Sequence, residues 1–190
     1  YVSIIDQYKH QWHVVDAVAA LRKLGMSIVL DLVGPAYPPA LRRLNAAIDR
    51  VDADQSWVYY HGSIPFNELH YRYAEADLGV FASSCENMPN ILLETMASGL
   101  PIACSNKGPM PEVLGEAGRY FDPLNVRDMA EQIIILLEDD EARFELGKRA
   151  VQRAHLFSRD ATAAKTAEVI KLVAPERYAQ ISPSQLQTSS

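Results

Sequence analysis

Short apolar runs alternate with amphipathic stretches along this chain at a regular interval. YVSII (1–5), IVLDLVG (28–34), WVYYHG (57–62), LGVFAS (78–83), PIACS (101–105) and RYFD (119–122) are rich in β-branched, aromatic or small apolar residues. Runs of this kind predict strands buried on both faces. Between them the 3.6-residue period predicts helices over 11–24, 39–50, 67–75 and 89–98, with a short turn of helix near 110–115. That alternation predicts an α/β fold, a parallel sheet of about six strands with helices on both faces.

Beyond RYFD the pattern changes. Three helical segments follow near 126–138, 140–155 and 159–172 without an intervening strand, predicting an α-helical end. Asn125 with Asp128, and Ser158 with Asp160, supply caps and first-turn acids for the first and last of them. In MAEQIIILLE, the residues Met129, Ile133, Leu136 and Leu137 share one helical face. Residues 1–172 therefore read as one domain. The tail 173–190, ending in polar and aperiodic SPSQLQTSS, is expected to be partly disordered. Because the first run is strand-like and carries no initiator Met, the chain is expected to be a fragment of a longer protein.

Composition narrows the classes. At 190 residues and 48% hydrophobic, the chain can bury one substantial core. The net charge of −6 comes from intermixed acids and bases, which gives no polyanion-binding face, so nucleic acid is not an expected partner. No apolar run approaches the ~20 residues of a membrane span and no signal peptide opens the chain, so a cytoplasmic location is expected. Cys85 and Cys104 lack metal-type spacing. Cys85 reads as either a reactive thiol or, more simply, a small buried hydrophobe.

In open parallel sheets, ligands bind beyond the carboxyl ends of the strands. Candidate residues thus lie in five segments: Asp6 to Gln11, Gly34 to Pro39, His61 to Ile64, Ser83 to Asn90, and Ser105 to Glu112. The fourth is the richest. Pro89 suits a first helical turn, which places Glu86 in the loop and Glu94 about five residues inside the helix, ~7.5 Å along its axis. Between the two acids, the N–H groups of Asn90 and Ile91 would face outward and form a phosphate-sized anion site. Acid, anion cradle and acid in that order suit a sugar, a diphosphate and a ribose. On spacing alone, two such glutamates are more simply a helix-start acid and a solvent-facing acid.

The surrounding text adds to this. ENMPNILLETMASGLPI resembles the signature of family 4 (group 1) retaining glycosyltransferases, in which Glu, seven residues and Glu precede Met-Ala-x-Gly-x-Pro. GPMPEVLGEAGRYFDP and YVSIIDQYKHQ continue the resemblance, which spans roughly residues 1–172. It implies the C-terminal, Rossmann-like half of a GT-B enzyme, which binds a nucleotide-sugar and transfers the sugar with retention of configuration. It further implies no cofactor and no essential metal. The glycan or lipid-linked acceptor would be held by a missing N-terminal domain, in polysaccharide or glycoconjugate biosynthesis. Membrane contact would come only through that missing half, at the inner membrane face.

Residue by residue, the resemblance implies that Lys9 neutralises the leaving phosphate, Glu86 contacts the donor sugar hydroxyls and Glu94 holds the ribose. The backbone N–H groups of Asn90 and Ile91 would meet the diphosphate, and the turn with Gly62 and Ile64 would meet the base. Glu112 is either near the donor loop or simply a helix-start acid. An Arg commonly stands five residues before the Lys, and Ile4 occupies that place here. His10 and Gln11 replace a usual Gly or Asn and are expected to be structural. The alternatives are a degenerate binding-only or regulatory domain, or another GT-B reaction such as nucleotide-sugar epimerisation or glucan phosphorolysis. A flavodoxin-like domain is disfavoured, because the first loop offers only Asp6 and Lys9.

Overall fold

The computed structural model describes residues 1–175; most of the tail expected over 173–190 lies outside the described residues. In chain order the elements are α1 (Gln11–Lys23), β1 (Leu30–Leu32), α2 (Pro38–Val51), β2 (Val58–Tyr60), α3 (Leu69–Glu75), β3 (Gly79–Phe81), α4 (Asn90–Ala97), β4 (Ile102–Ser105), α5 (Met110–Leu114), β5 (Arg119–Phe121), α6 (Val126–Glu138), α7 (Asp140–Ala154) and α8 (Arg159–Val173). Each predicted helix has its counterpart. Pro38 and Pro39 open α2, where a missing N–H leaves no bond unmade. Asn125 caps α6 by accepting from the N–H groups of Arg127 and Asp128, both at 3.1 Å.

All strand pairs are parallel, as predicted, but they do not form one six-stranded sheet. β1 pairs with β2, and β3, β4 and β5 form a second ladder in that order. The first run, YVSII, lies beside β1 and its continuation through two isolated bridges, Val2 with Val33 and Ile5 with Ala36. Between those bridges Ser3 and Ile4 leave strand geometry, so no continuous ladder forms and the expected strand count is corrected. The run is still held firmly: Ser3 N–H donates to Val33 O and Ile5 N–H to Pro35 O, each at 2.8 Å.

The chain divides into a unit Tyr1–Ala154 and a second beginning at His155. Within the first, side chains alternate across the strands. Ala103 and Phe121 join Leu30, Leu32 and Val58 in a cluster with α1, α2 and α6, among them Val14, Val18, Leu44, Met129 and Ile133. Their strand neighbours Ile102 and Cys104 are also fully buried and lie on the opposite side of the strand. There α4 packs against α5 and α7. Gly79 permits a close approach, since a Cβ at that position would stand 2.5 Å from Thr95 Cγ2, seating α4 directly on β3. In the second unit, Ser158 accepts from Ala161 N–H at 3.2 Å and caps α8.

Candidate functional site

The parallel strands deliver the first and fourth candidate loops to each other. Ser84, just past β3, donates its N–H to Tyr8 O at 2.8 Å, and its hydroxyl donates to the same carbonyl at 3.3 Å. Beside this clasp Lys9 Nζ forms an ion pair with Glu86 Oε1. The two side chains are only 6% and 14% exposed, so the pair is withdrawn from bulk water and weakly screened. The Lys9 ammonium also lies 5.2 Å from the ring centres of both Tyr8 and Phe81. Tyr1 Oη donates to Lys9 O at 3.0 Å and fixes the backbone below it.

His10 shows why small residues suit its position. Its φ of 52° is left-handed, a conformation that Gly and Asn adopt at least cost. Its ring is buried, with Nε2 at 2.8 Å from Ser84 Oγ, and it stacks on His13 at 5.5 Å between centroids. Burial first, then the neighbouring His13 and Arg43, hold its pKa down to about 4 against the pull of Asp122. His10 is therefore neutral at physiological pH and clasps the two loops. Gln11 Nε2 donates to Ile4 O at 2.8 Å, so both residues that follow Lys9 brace the backbone.

Along the fourth loop the backbone departs from expectation in one respect. Pro89 has φ −81° and ψ 74°, close to an inverse γ-turn, and it caps α4 rather than entering it. That turn folds Asn90 N–H onto Met88 O at 2.9 Å, so the Asn90 amide is not free for an anion. Ile91 N–H has no partner among the described residues. Cys85 is exposed, correcting its reading as a buried hydrophobe. Because Ser84 is spent on Tyr8, the chain turns there and the next side chain faces out.

Glu94 sits in the body of α4, in its second turn. Its Oε2 is buried and has no hydrogen-bond partner among the described residues, and burial pushes its carboxyl above the ordinary range. The hydroxyl of Tyr73 is likewise buried, and burial, against an interaction with Thr95 and with a smaller contribution from the Glu94 charge, raises its pKa to about 12. A carboxylate oxygen in this condition accepts readily from a hydroxyl, because leaving it unpaired is costly.

Among the described residues, no hydrogen bond or ion pair joins the remaining candidates to the Lys9–Glu86 pair. Gly62, with φ 66°, makes the turn after β2; its carbonyl accepts from Gly34 N–H at 2.8 Å, and nothing lies within 4 Å of where its Cβ would be. Ile64 follows in the same loop, half-buried. Glu112 is exposed in the first turn of α5, and its carbonyl accepts from Arg153. No hydrogen bond or ion pair joins its side chain to Lys9, Glu86 or Glu94. Tyr8, Ser84 and Lys107 fall within the candidate segments, but sequence reasoning assigns them no role; Lys107 Nζ pairs with Asp122 at 3.0 Å in the neighbouring loops. Their roles arise from contacts far apart in sequence. Among the described residues, no group of three or more His, Cys, Asp and Glu side chains could hold a metal ion, and no helix is long and apolar enough to cross a membrane.

Comparison with known proteins gives a consistent picture. Residues 1–139 match the family described as glycosyl transferases group 1. O-antigen chain mannosyltransferase B of Escherichia coli is 34% identical over 119 residues, covering 63% of this chain and 31% of the relative. D-inositol 3-phosphate glycosyltransferase of Corynebacterium glutamicum is 34% identical over 174 residues, covering 87% of this chain and 41% of the relative. The chain thus spans less than half the length of these relatives. The crystal structure of Anabaena Alr3699/HepE in complex with UDP superposes with a TM-score of 0.78 at 21% identity, covering 90% of this chain and 48% of that one. The parallel α/β fold and the sequence match agree, and the chain belongs to the group 1 glycosyl transferases.

Proposed function

We propose that this chain is the donor-binding half of a retaining glycosyltransferase, holding a nucleotide-sugar while the other half of a longer protein presents a glycan or lipid-linked acceptor. The observation that carries this is the meeting of Lys9 and Glu86 at the carboxyl ends of the strands. In this reading Lys9 offsets the charge that develops on the leaving diphosphate, an interaction stronger in the transition state than in the ground state. Glu86 accepts from donor-sugar hydroxyls. The unpartnered Oε2 of Glu94 accepts from the ribose, and Ile91 N–H meets a phosphate oxygen with the support of the α4 dipole. The turn at Gly62 and Ile64 lies open for the base, and Glu112 borders the loop after β4.

The likeness to a structure containing UDP supports a nucleotide ligand. Charge neutralisation falls to Lys9 and needs no metal. The intact enzyme would act in polysaccharide or glycoconjugate synthesis, in the cytoplasm or at the inner membrane face. Ile4, 37% exposed, brings no second cation, and this favours a second reading, a domain that binds nucleotide-sugar without supporting transfer. Titration of the chain with uridine, guanosine and adenosine diphosphates and their sugars, with and without a chelator, tests the binding. Binding that a chelator leaves unchanged supports the reading, and binding abolished by the chelator removes the metal-free part of it. Sugar transfer by the full-length protein separates the enzyme from the binding-only domain.

A further inference from the structure

Lys9 is enclosed. The ring centres of Tyr8 and Phe81 lie 5.2 Å from its ammonium, the Glu86 carboxylate pairs with it, and 6% of the side chain is exposed. With so little of the side chain open to solvent, a phosphate oxygen that reaches Nζ competes with that carboxylate. The loop that carries Glu86 is partly open to solvent. It is pinned at Ser84 and again where Pro89 leads into α4, while Cys85, Asn87 and Met88 between those anchors are exposed.

We propose that Glu86 guards Lys9 and thereby selects the intact nucleotide-sugar over the nucleoside diphosphate. This deepens the donor-site reading and rests on it. With Glu86 in place the charge at Lys9 is already compensated, so an arriving diphosphate gains little net attraction. Once displaced, the carboxylate stands beside a polyanion and is repelled unless donors receive it. The hydroxyls of an attached sugar are such donors. A bare diphosphate presents acceptor oxygens alone, so it displaces Glu86 and leaves it uncompensated. Discrimination therefore comes from a like charge set against the wrong ligand, together with hydrogen bonds offered to the right one. After transfer the sugar leaves, the hydroxyl donors go with it, and Glu86 returning to Lys9 assists expulsion of the diphosphate.

The test is calorimetric titration of the chain with UDP and UDP-glucose, GDP and GDP-mannose, and ADP and ADP-glucose. Wild type and Glu86→Gln are compared on whichever pair binds. The wild type is expected to hold the nucleotide-sugar more tightly than its diphosphate. Glu86→Gln is expected to tighten the diphosphate by about tenfold and to weaken the nucleotide-sugar, inverting the order. The double variant Lys9→Met/Glu86→Gln loses the gain, which shows that it runs through Lys9. Should Glu86→Gln fail to fold, the wild-type comparison decides alone: a diphosphate bound as tightly as its sugar conjugate overturns the proposal. Parallel changes for both ligands in Glu86→Gln overturn it while leaving the donor site intact. Failure of every nucleotide to bind the wild type overturns the donor-site reading itself.

Discussion

Ser84 donates its backbone N–H to the carbonyl of Tyr8 across 2.8 Å, joining two loops far apart in sequence, and two residues further along Glu86 pairs with Lys9. The clasp is what makes the ion pair possible, because it sets the register of one loop on the other. Removing one charge from such a buried pair strands the other, at a cost of about 3 kcal/mol. Lys9→Met should therefore melt well below wild type. Lys9→Met/Glu86→Gln should recover most of the loss, since it leaves no unpaired charge. Thermal melts of the two variants check this; equal melting temperatures would mean the pair is not energetically coupled.

Glu94 should show the opposite behaviour. Burial raises its carboxyl pKa, so the folded state holds that proton more tightly than the unfolded chain does. The stability it contributes is therefore greatest at low pH and falls as pH rises through the folded pKa. Glu94→Gln should raise the melting temperature at pH 7 and flatten its decline as pH rises above the ordinary carboxylate range. The same variant should lose nucleotide binding. Melts across that range, paired with titrations, measure both effects.

How much of this was legible in the sequence depends on the distance between the residues involved. The span of α6, its Asn125 cap and the start of α8 at Ser158 follow from residues within four positions of one another, and the structure keeps them. β3, β4 and β5 likewise follow from local apolar runs. Other features hinge on geometry that no local pattern carries. Ser3 and Ile4 have strand-like chemistry yet bend between two bridges, so the first run makes no continuous ladder beside β1. Asn90 loses its free N–H to the turn at Pro89, and Cys85 faces out because its neighbour Ser84 is bonded to Tyr8. The pairing of Lys9 with Glu86 requires strands to be brought alongside. The loop pattern singles out Glu86 and the family resemblance singles out Lys9, but neither carries their contact.

Asp52 supports the turn between α2 and β2. Burial raises its carboxyl pKa, but the backbone N–H groups of Trp57, Ser56 and Val58 and the Ser56 hydroxyl outweigh that and hold it at about 2, against 3.8 unperturbed. A depressed folded pKa contributes stability above the unfolded value, and this is lost as pH falls from 3.8 toward 2. The contribution at neutral pH is about 2 kcal/mol. Asp52→Asn should cost roughly that amount in urea denaturation at pH 7 and much less near pH 2, a difference that paired denaturation curves would show.

Gly34 is held where no other residue fits. Its φ is 142°, and a Cβ there would stand 2.1 Å from Ser3 O, the backbone that leads toward Lys9. Gly34→Ala must push the first run away from β1, at a cost of about 3 kcal/mol or more. Amide exchange should report loosened protection at Ser3 and Ile5 in this variant, together with weaker nucleotide binding.

The central claim is that the loops around Lys9, Glu86 and Glu94 form a nucleotide-sugar site. Its most direct test is titration of wild type and Glu94→Ala with the panel of uridine, guanosine and adenosine diphosphates and their sugars. At least one diphosphate and its sugar conjugate should bind the wild type, and Glu94→Ala, still folded by thermal melt, should weaken that binding by at least about tenfold. Absence of binding across the panel, or a Glu94→Ala chain that binds as tightly as wild type, would contradict the account.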